Sequence, residues 1–166
     1  KLVRIHHSVV DYVVVSQSKN HHQSYATDAY RGELSGEIRV PTHAIPALPL
    51  DVRKVIARRG ALELRPNMVI NLGIGIPSCV GPGANEEGIS GTTLSLESGP
   101  IGGVPVAGVG FAAAVNPESI ASLSDTFHLY DGGGLDMTCL GAAEVDACGN
   151  VNVSSFNGRC TGPGGF

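Results

Sequence analysis

The residues best placed for chemistry lie in Gly91-Thr-Thr-Leu-Ser-Leu-Glu-Ser-Gly-Pro-Ile-Gly-Gly-Val-Pro105. A strand-like run, Thr92 to Leu96, ends in one carboxylate, Glu97, followed by Ser98, Gly99, Pro100 and the pair Gly102-Gly103. Glycines let the backbone turn sharply and let a bulky ligand approach it. An acid at the tip of a buried strand, ringed by glycine amides, can act as a covalent nucleophile. The competing reading is a plain turn with Glu97 in solvent. A second glycine loop, Gly73-Ile-Gly-Ile-Pro77, follows the apolar run Met68 to Leu72. A G-x-G after a strand invites a dinucleotide-binding reading, but Ser78 stands in place of the third glycine. No acid about 20 residues on is suited to a ribose, because Glu97 begins a Gly-Pro turn. The loop is better read as a wall of the pocket around Glu97.

Other reactive side chains are less organised. Cys79, Cys139, Cys148 and Cys160 form no C-x-x-C pair, so neither a metal site nor a disulfide framework follows from them. His6-His7 and His21-His22 are adjacent in sequence, which on a strand sends them to opposite faces. No metal site is assigned. Asp131 and Asp136 flank three glycines, where a second catalytic acid competes with a turn role.

The elements that must position Glu97 follow from pattern. Residues 9–15, Val-Val-Asp-Tyr-Val-Val-Val, read as a strand buried on both faces. The polar stretch 16–30 and Pro41, Pro46 and Pro49 place a linker or domain edge at about 31–49. Asp51 is a good N-cap for a helix that must stop before Pro66. Val52, Val55, Ile56 and Leu62 share its apolar face. Arg53, Lys54, Arg58, Arg59 and Arg65 read as a solvated face or, alternatively, a phosphate grip. Gly60 within it points to close packing. Met68 to Leu72 is the next strand, and Gly81-Pro82-Gly83 is expected to break any helix after the Gly73–Pro77 loop. Asn116-Pro117-Glu118 predicts a helix start, whereas Phe127 to Tyr130 and Met137 to Leu140 predict strands. Ala143 to Asp146 and Asn150 to Ser154 flank a tight turn at Cys148-Gly149. Strands alternating with helices imply an α/β fold with an open, largely parallel sheet flanked by helices. Ligands of such sheets sit beyond the strands' carboxyl ends, where Glu97, Gly73–Pro77 and Asp131–Gly134 are expected to meet.

Composition narrows the function classes. The chain has 166 residues, one domain's worth or one domain plus part of another. Twenty of its 23 glycines follow residue 72, interleaved with Val, Ile and Leu, which indicates short folded elements rather than low complexity. Eleven basic against 15 acidic residues give a net charge of −4, which argues against nucleic acid as partner. No stretch approaches about 18 unbroken apolar residues, and residues 1–15 lack the features of a signal peptide.

Several motifs, in one order, carry a resemblance. Asn71-Leu-Gly-Ile-Gly-Ile-Pro77, Glu97-Ser-Gly-Pro-Ile-Gly-Gly103, Tyr130-Asp-Gly-Gly-Gly-Leu-Asp136, Gly149-Asn-Val-Asn-Val153 and Gly162-Pro-Gly-Gly-Phe166 are similar to family I coenzyme A transferases of the acetate/propionate type. Upstream, Ser35 to Pro41 and Leu48 to Arg59 fit as well. The resemblance implies a middle fragment: residues 1–48 end a preceding domain plus linker, and 49–166 begin the C-terminal domain. It implies the CoA-transferase fold, shared with ribose-5-phosphate isomerase. It also implies ping-pong transfer of coenzyme A between a short-chain acyl-CoA and a free carboxylate, with Glu97 as nucleophile and a glutamyl-CoA thioester as intermediate. Coenzyme A and acyl-CoA are then substrates, with no permanently bound cofactor, and a cytoplasmic homo-oligomer (mitochondrial in a eukaryote) is expected. Glycine amides are the natural oxyanion donors. Gly99, Gly102 and Gly103 come first, then Gly73 and Gly75, with Gly162 to Gly165 in addition. Two alternatives stay open, a catalytically inert fragment of such an enzyme and an acyl-CoA hydrolase using the same glutamate.

Overall fold

The computed structural model describes residues 5–15 and 30–162. The expectations for His21-His22, for most of the stretch 16–30 and for Gly164 and Gly165 fall outside them. The chain divides into two compact units, Lys1–Tyr30 and Arg31–Phe166.

In the first unit, His7–Val9 is a single 3-10 turn, capped by the His6 ring, which accepts from the Ser8 amide. Residues 10–15 form no strand, and Val13 to Val15 are each at least 80% exposed. The expected doubly buried strand is therefore absent among the described residues. β-branched composition favours an extended backbone, but only a partner ladder makes a strand of it.

The second unit begins with α1 (Gly32–Ser35). The Asn116 side chain holds Val40 by both backbone groups, accepting from its amide at 2.9 Å and donating to its carbonyl at 2.7 Å. Helix α2 (Val52–Ala61) starts where predicted, with the Asp51 carboxylate accepting from the Lys54 amide. Its buried face is not the predicted one. Ala57 and Ala61 are fully buried, whereas Val52, Val55 and Leu62 are 74, 60 and 70% exposed. The reason lies in α3 (Val80–Glu86), which approaches α2 so closely that a Cβ on Gly83 would touch Ala57 and one on Gly60 would press on Val80. Only the small side of α2 permits that approach. Lys54, Arg58 and Arg59 pair with Glu86, Glu87 and Glu63, so three of the helix's cations are already engaged.

Helix α3 corrects the expectation that Gly81-Pro82-Gly83 would break it. Pro82 is its third residue, within the turn whose amides lack intrahelical acceptors, so the missing N–H costs nothing there. Gly81 is needed because a Cβ would lie 2.7 Å from Pro105.

β1 (Val69–Leu72) lies between β2 (Thr93–Ser95) and β7 (Met137–Cys139), parallel to both. β3 (Pro100–Ile101) and β6 (Ser119–Ile120) continue the sheet antiparallel beyond β2, giving the order β6-β3-β2-β1-β7. The expected α/β fold is present, with its three longest strands parallel. Alternation sends Ile70, Leu72, Leu94 and Leu96 into the core formed with Ala57, Ala61, Val80 and Ala84. Asn71 and Ser95 face the other way, toward α4 (Leu123–Asp131). β4 (Val104–Pro105) and β5 (Ala114–Val115) form a buried antiparallel pair. Two hairpins, β8 (Glu144–Val145) with β9 (Val151–Asn152) and β10 (Ser155–Phe156) with β11 (Arg159–Cys160), follow the sheet. The first has the predicted turn, in which the Asp146 carboxylate accepts from the amides of Cys148 and Asn150.

The region before β7 departs from prediction. Asn116 does not cap a helix; it takes a left-handed φ of 57° and spends its side chain on Val40, and β6 follows. The helix starts at Ser122, whose hydroxyl accepts from the Asp125 amide and donates to the Asp125 carboxylate. Phe127 to Tyr130, expected as a strand, is inside α4. Ser122→Ala is expected to lower stability by about 1 kcal/mol, read as a lower urea midpoint at unchanged slope.

Candidate active site

Glu97 stands at the tip of the β2–β3 hairpin. The amide of Gly99 donates to the Leu96 carbonyl at 3.0 Å and that of Leu96 to the Pro100 carbonyl at 3.0 Å, so Glu97 and Ser98 are the central residues of a β-turn. Two further bonds pin the turn from the side. The Ser98 hydroxyl donates to the Ala112 carbonyl, and the Ala121 amide donates to the Gly99 carbonyl. Glu97 is half-buried, and no hydrogen bond or ion pair engages its carboxylate among the described residues. The pinned turn thus presents an uncommitted carboxylate at the carboxyl end of β2.

The strand beside it ends at the same level. Asn71 is the register partner of Ser95, so Gly73 and Glu97 each lie two residues beyond the last pair. The Gly73–Pro77 loop therefore leaves the sheet at the edge that carries Glu97, as expected. A 3-10 turn, Pro77–Cys79, joins it to α3: the Ser78 hydroxyl donates to the Gly75 carbonyl at 2.8 Å, and Gly75 has φ +87°.

The five glycines proposed as oxyanion donors do not ring Glu97. The amides of Gly73, Gly99 and Gly102 donate to the carbonyls of Cys139, Leu96 and Leu94. Gly102 and Gly103 lie opposite Leu94, three residues or about 10 Å down the strand from Glu97. Gly103 instead allows β5 to approach, since a Cβ there would meet the Val115 carbonyl at 2.3 Å. Gly75 alone of the five combines a place at this edge with an amide free among the described residues.

The Asp131–Gly134 loop is at the wrong end. β7 runs parallel to β1, so the loop before it lies at the amino edge of the sheet. There the Asp136 carboxylate accepts from the Val69 amide at 2.8 Å, and the Asp136 amide donates to Val69. That is a structural role.

What the sequence reading missed is Tyr130. From the end of α4 its hydroxyl reaches across the sheet to Ser95 at 2.8 Å and to the Asn71 side-chain oxygen at 3.4 Å. Ser95 also donates to the Ile70 carbonyl at 3.1 Å. Burial pushes the Tyr130 hydroxyl up, Ser95 opposes that by hydrogen bonding, and the Glu97 charge adds to the rise. The phenol is therefore neutral and lies within electrostatic reach of Glu97. A helical reading begun from the Ser122-x-x-Asp125 capping box was the signal that would have found it.

No family model matches the chain. It is 44% identical, along its entire length, to a caffeate CoA-transferase of Acetobacterium woodii, of which it covers 33%. It is 41% identical to an acetate CoA-transferase, YdiF, of Escherichia coli O157:H7, again along its entire length and over 31% of that protein. Among solved structures it superposes on the apoenzyme of the acyl-CoA transferase YdiF from the same organism with a TM-score of 0.77 at 40% identity, over 99% of this chain and 30% of the other. A thioester complex of that transferase with CoA matches with the same TM-score, at 39% identity over 99% and 29%. The chain spans about a third of the length of the relatives it matches.

Proposed function

We propose, for a chain that belongs to the CoA-transferases as a segment about a third as long as the relatives it matches, that it carries the catalytic carboxylate of a short-chain acyl-CoA:carboxylate CoA-transferase. The observation that carries this is the uncommitted Glu97 carboxylate on a pinned turn at the carboxyl edge of the parallel strands. The identity to an acetate and a caffeate CoA-transferase supports the reaction class.

In the first step a Glu97 carboxylate oxygen attacks the thioester carbonyl carbon of acyl-CoA. The C–S bond breaks, the electron pair leaves with the CoA thiolate, and Glu97 is left as a mixed acyl anhydride. The thiolate then attacks the glutamyl carbonyl, releasing the acyl group as its carboxylate and leaving a Glu97–CoA thioester. An incoming carboxylate runs the two steps in reverse and departs as the new acyl-CoA. No proton needs to be moved, which suits a carboxylate with no general base beside it. Each tetrahedral intermediate places negative charge on oxygen, and a fixed amide aimed at it contributes roughly 3 kcal/mol. Gly75 is our candidate donor from this segment. Activation of the acyl group survives only if water is excluded.

The family likeness further supports residues 1–48 as the end of a preceding domain with its linker and 49–166 as the first part of the C-terminal domain, in a cytoplasmic homo-oligomer. No helix among the described residues is long and apolar enough to cross a membrane.

The test is covalent trapping. The complete polypeptide that carries this chain, incubated with acetyl-CoA and then hydroxylamine or borohydride, is expected to be modified at Glu97 alone, read by peptide mass spectrometry. A folded, unmodified sample would favour an inert protein. Free-acid release that ignores added propionate would favour a hydrolase.

A further inference from the structure

Resting on Glu97 as nucleophile, we propose that Tyr130 is a positioning residue for the transfer reaction: its hydroxyl, bridging Ser95 and Asn71, locks the last register pair of β1 and β2 and so sets the spacing between Glu97 and the Gly73–Pro77 loop.

The juxtaposition is specific. Asn71 and Ser95 are direct partners across the β1–β2 ladder, and they are the last pair before the two strands diverge into the functional loops. One hydroxyl from a third element, α4, contacts both side chains, at 2.8 Å and 3.4 Å. Glu97 follows Ser95 by two residues, and Gly73 follows Asn71 by two. Ser95 and Asn71 are 1% and 8% exposed, so these bonds form away from competing water.

The donor inventory explains why the phenol, rather than Ser95 alone, matters. Ser95 has one proton, for which the Ile70 carbonyl at 3.1 Å and the Tyr130 oxygen at 2.8 Å compete. When Ser95 donates to Tyr130, the tyrosine proton goes to the Asn71 oxygen and the phenol bridges the pair. When Ser95 donates to Ile70, the tyrosine proton goes to Ser95, and Asn71 is in contact with the phenol without receiving its proton. In either arrangement the tyrosine proton is held inside the network, and Tyr130 ties β2 to α4. Asn71 has a long, 3.5 Å contact with Thr138 on β7. The network therefore crosses β2, β1 and β7 directly beneath the edge where Glu97 reacts. A nucleophile displaced by about 1 Å loses on the order of a hundredfold in rate.

Three variants of the complete polypeptide test this. Tyr130→Phe is expected to lower kcat by roughly 10- to 100-fold with KM for acyl-CoA within about twofold, because substrate contacts stay while reacting geometry shifts. Ser95→Ala is expected to reproduce the loss, and Ser95→Thr, which keeps the hydroxyl, to restore most of it. The double variant Tyr130→Phe/Ser95→Ala is expected to lose no more than Tyr130→Phe alone, since both remove the same bond. A folded Tyr130→Phe enzyme with parental kcat overturns the proposal, and so does full additivity of the two losses. If Tyr130→Phe fails to fold, Ser95→Ala against Ser95→Thr decides: equal kcat in the two overturns it. Glu97→Gln run alongside separates the two readings. Should that variant stay active, the nucleophile assignment fails; should it be inactive while Tyr130→Phe is parental, only the positioning role fails.

Discussion

Glu97→Ala in the complete polypeptide is expected to reduce CoA transfer by about ten-thousandfold or more while leaving stability within about 0.5 kcal/mol. Both halves come from the same geometry. The carboxylate is half-buried and engages no hydrogen bond or ion pair among the described residues, so folding does not depend on it. The turn that holds it is built from backbone groups of Leu96, Gly99, Pro100 and Ala121 and from the Ser98 hydroxyl, none of which the substitution touches. Removal of the proposed covalent nucleophile, in contrast, removes the intermediate through which every turnover would pass. Glu97→Asp keeps the charge but withdraws it by one methylene, and a loss on the order of a hundredfold is expected for a reacting atom moved that far. Steady-state rates with acetyl-CoA and propionate, set beside thermal unfolding of the same samples, make the check. A variant that melts normally and transfers at the parental rate would sink the nucleophile assignment. A variant that loses activity and stability together would mean that Glu97 holds the turn rather than performs chemistry.

The edge that carries Glu97 was legible because its signals are local. An apolar run ending in Gly or Glu-Ser-Gly-Pro can be read as strand and turn, and β1, β2 and their exits fall within a residue or two of expectation. The Asp51 cap was legible for the same reason. The misreadings share another cause, namely that a partner distant in sequence decides the outcome. Asn116 has the chemistry of an N-cap, yet Val40, 76 residues away, claims its side chain. Val52, Val55 and Ile56 form the apolar stripe of α2, but Gly83 draws α3 onto Ala57 instead. Pro82 reads as a helix breaker until its place in the first turn of α3 is known. Three of the five oxyanion candidates have their amides engaged for a related reason. Glycine supplies an accessible amide only where the chain has not already claimed it, and bonds across the sheet claim those of Gly73 and Gly102 while the turn claims that of Gly99. Tyr130 combined both difficulties, since its element was misread and its partners lie 35 and 59 residues back.

Gly99→Ala is expected to cost about 3 kcal/mol or more of stability and to take most of the activity with it, whereas Gly75→Ala is expected to cost only about 1 kcal/mol. The two glycines look alike in sequence, each closing a short loop after a strand, and both have positive φ, +128° and +87°. Their surroundings differ. A Cβ on Gly99 would sit 2.2 Å from the Ala121 carbonyl oxygen, a backbone atom already held by its own chain, while one on Gly75 meets nothing within 4 Å. Relief at position 99 requires Ala121 to retreat, which breaks the bond from its amide to the Gly99 carbonyl and loosens the approach to α4. The same movement opens the Leu96–Gly99 turn, so Glu97 loses its fixed direction as the fold weakens. Gly75→Ala adds only backbone strain at a site facing open space. Urea unfolding of both variants measures the stability gap, and trapping of the acyl-enzyme measures the consequence at Glu97. Equal losses would mean that positive φ alone governs both positions and that the Ala121 contact yields freely. A larger loss at 99, with acylation falling in step, would identify the packing of Ala121 against Gly99 as what keeps the nucleophile aimed.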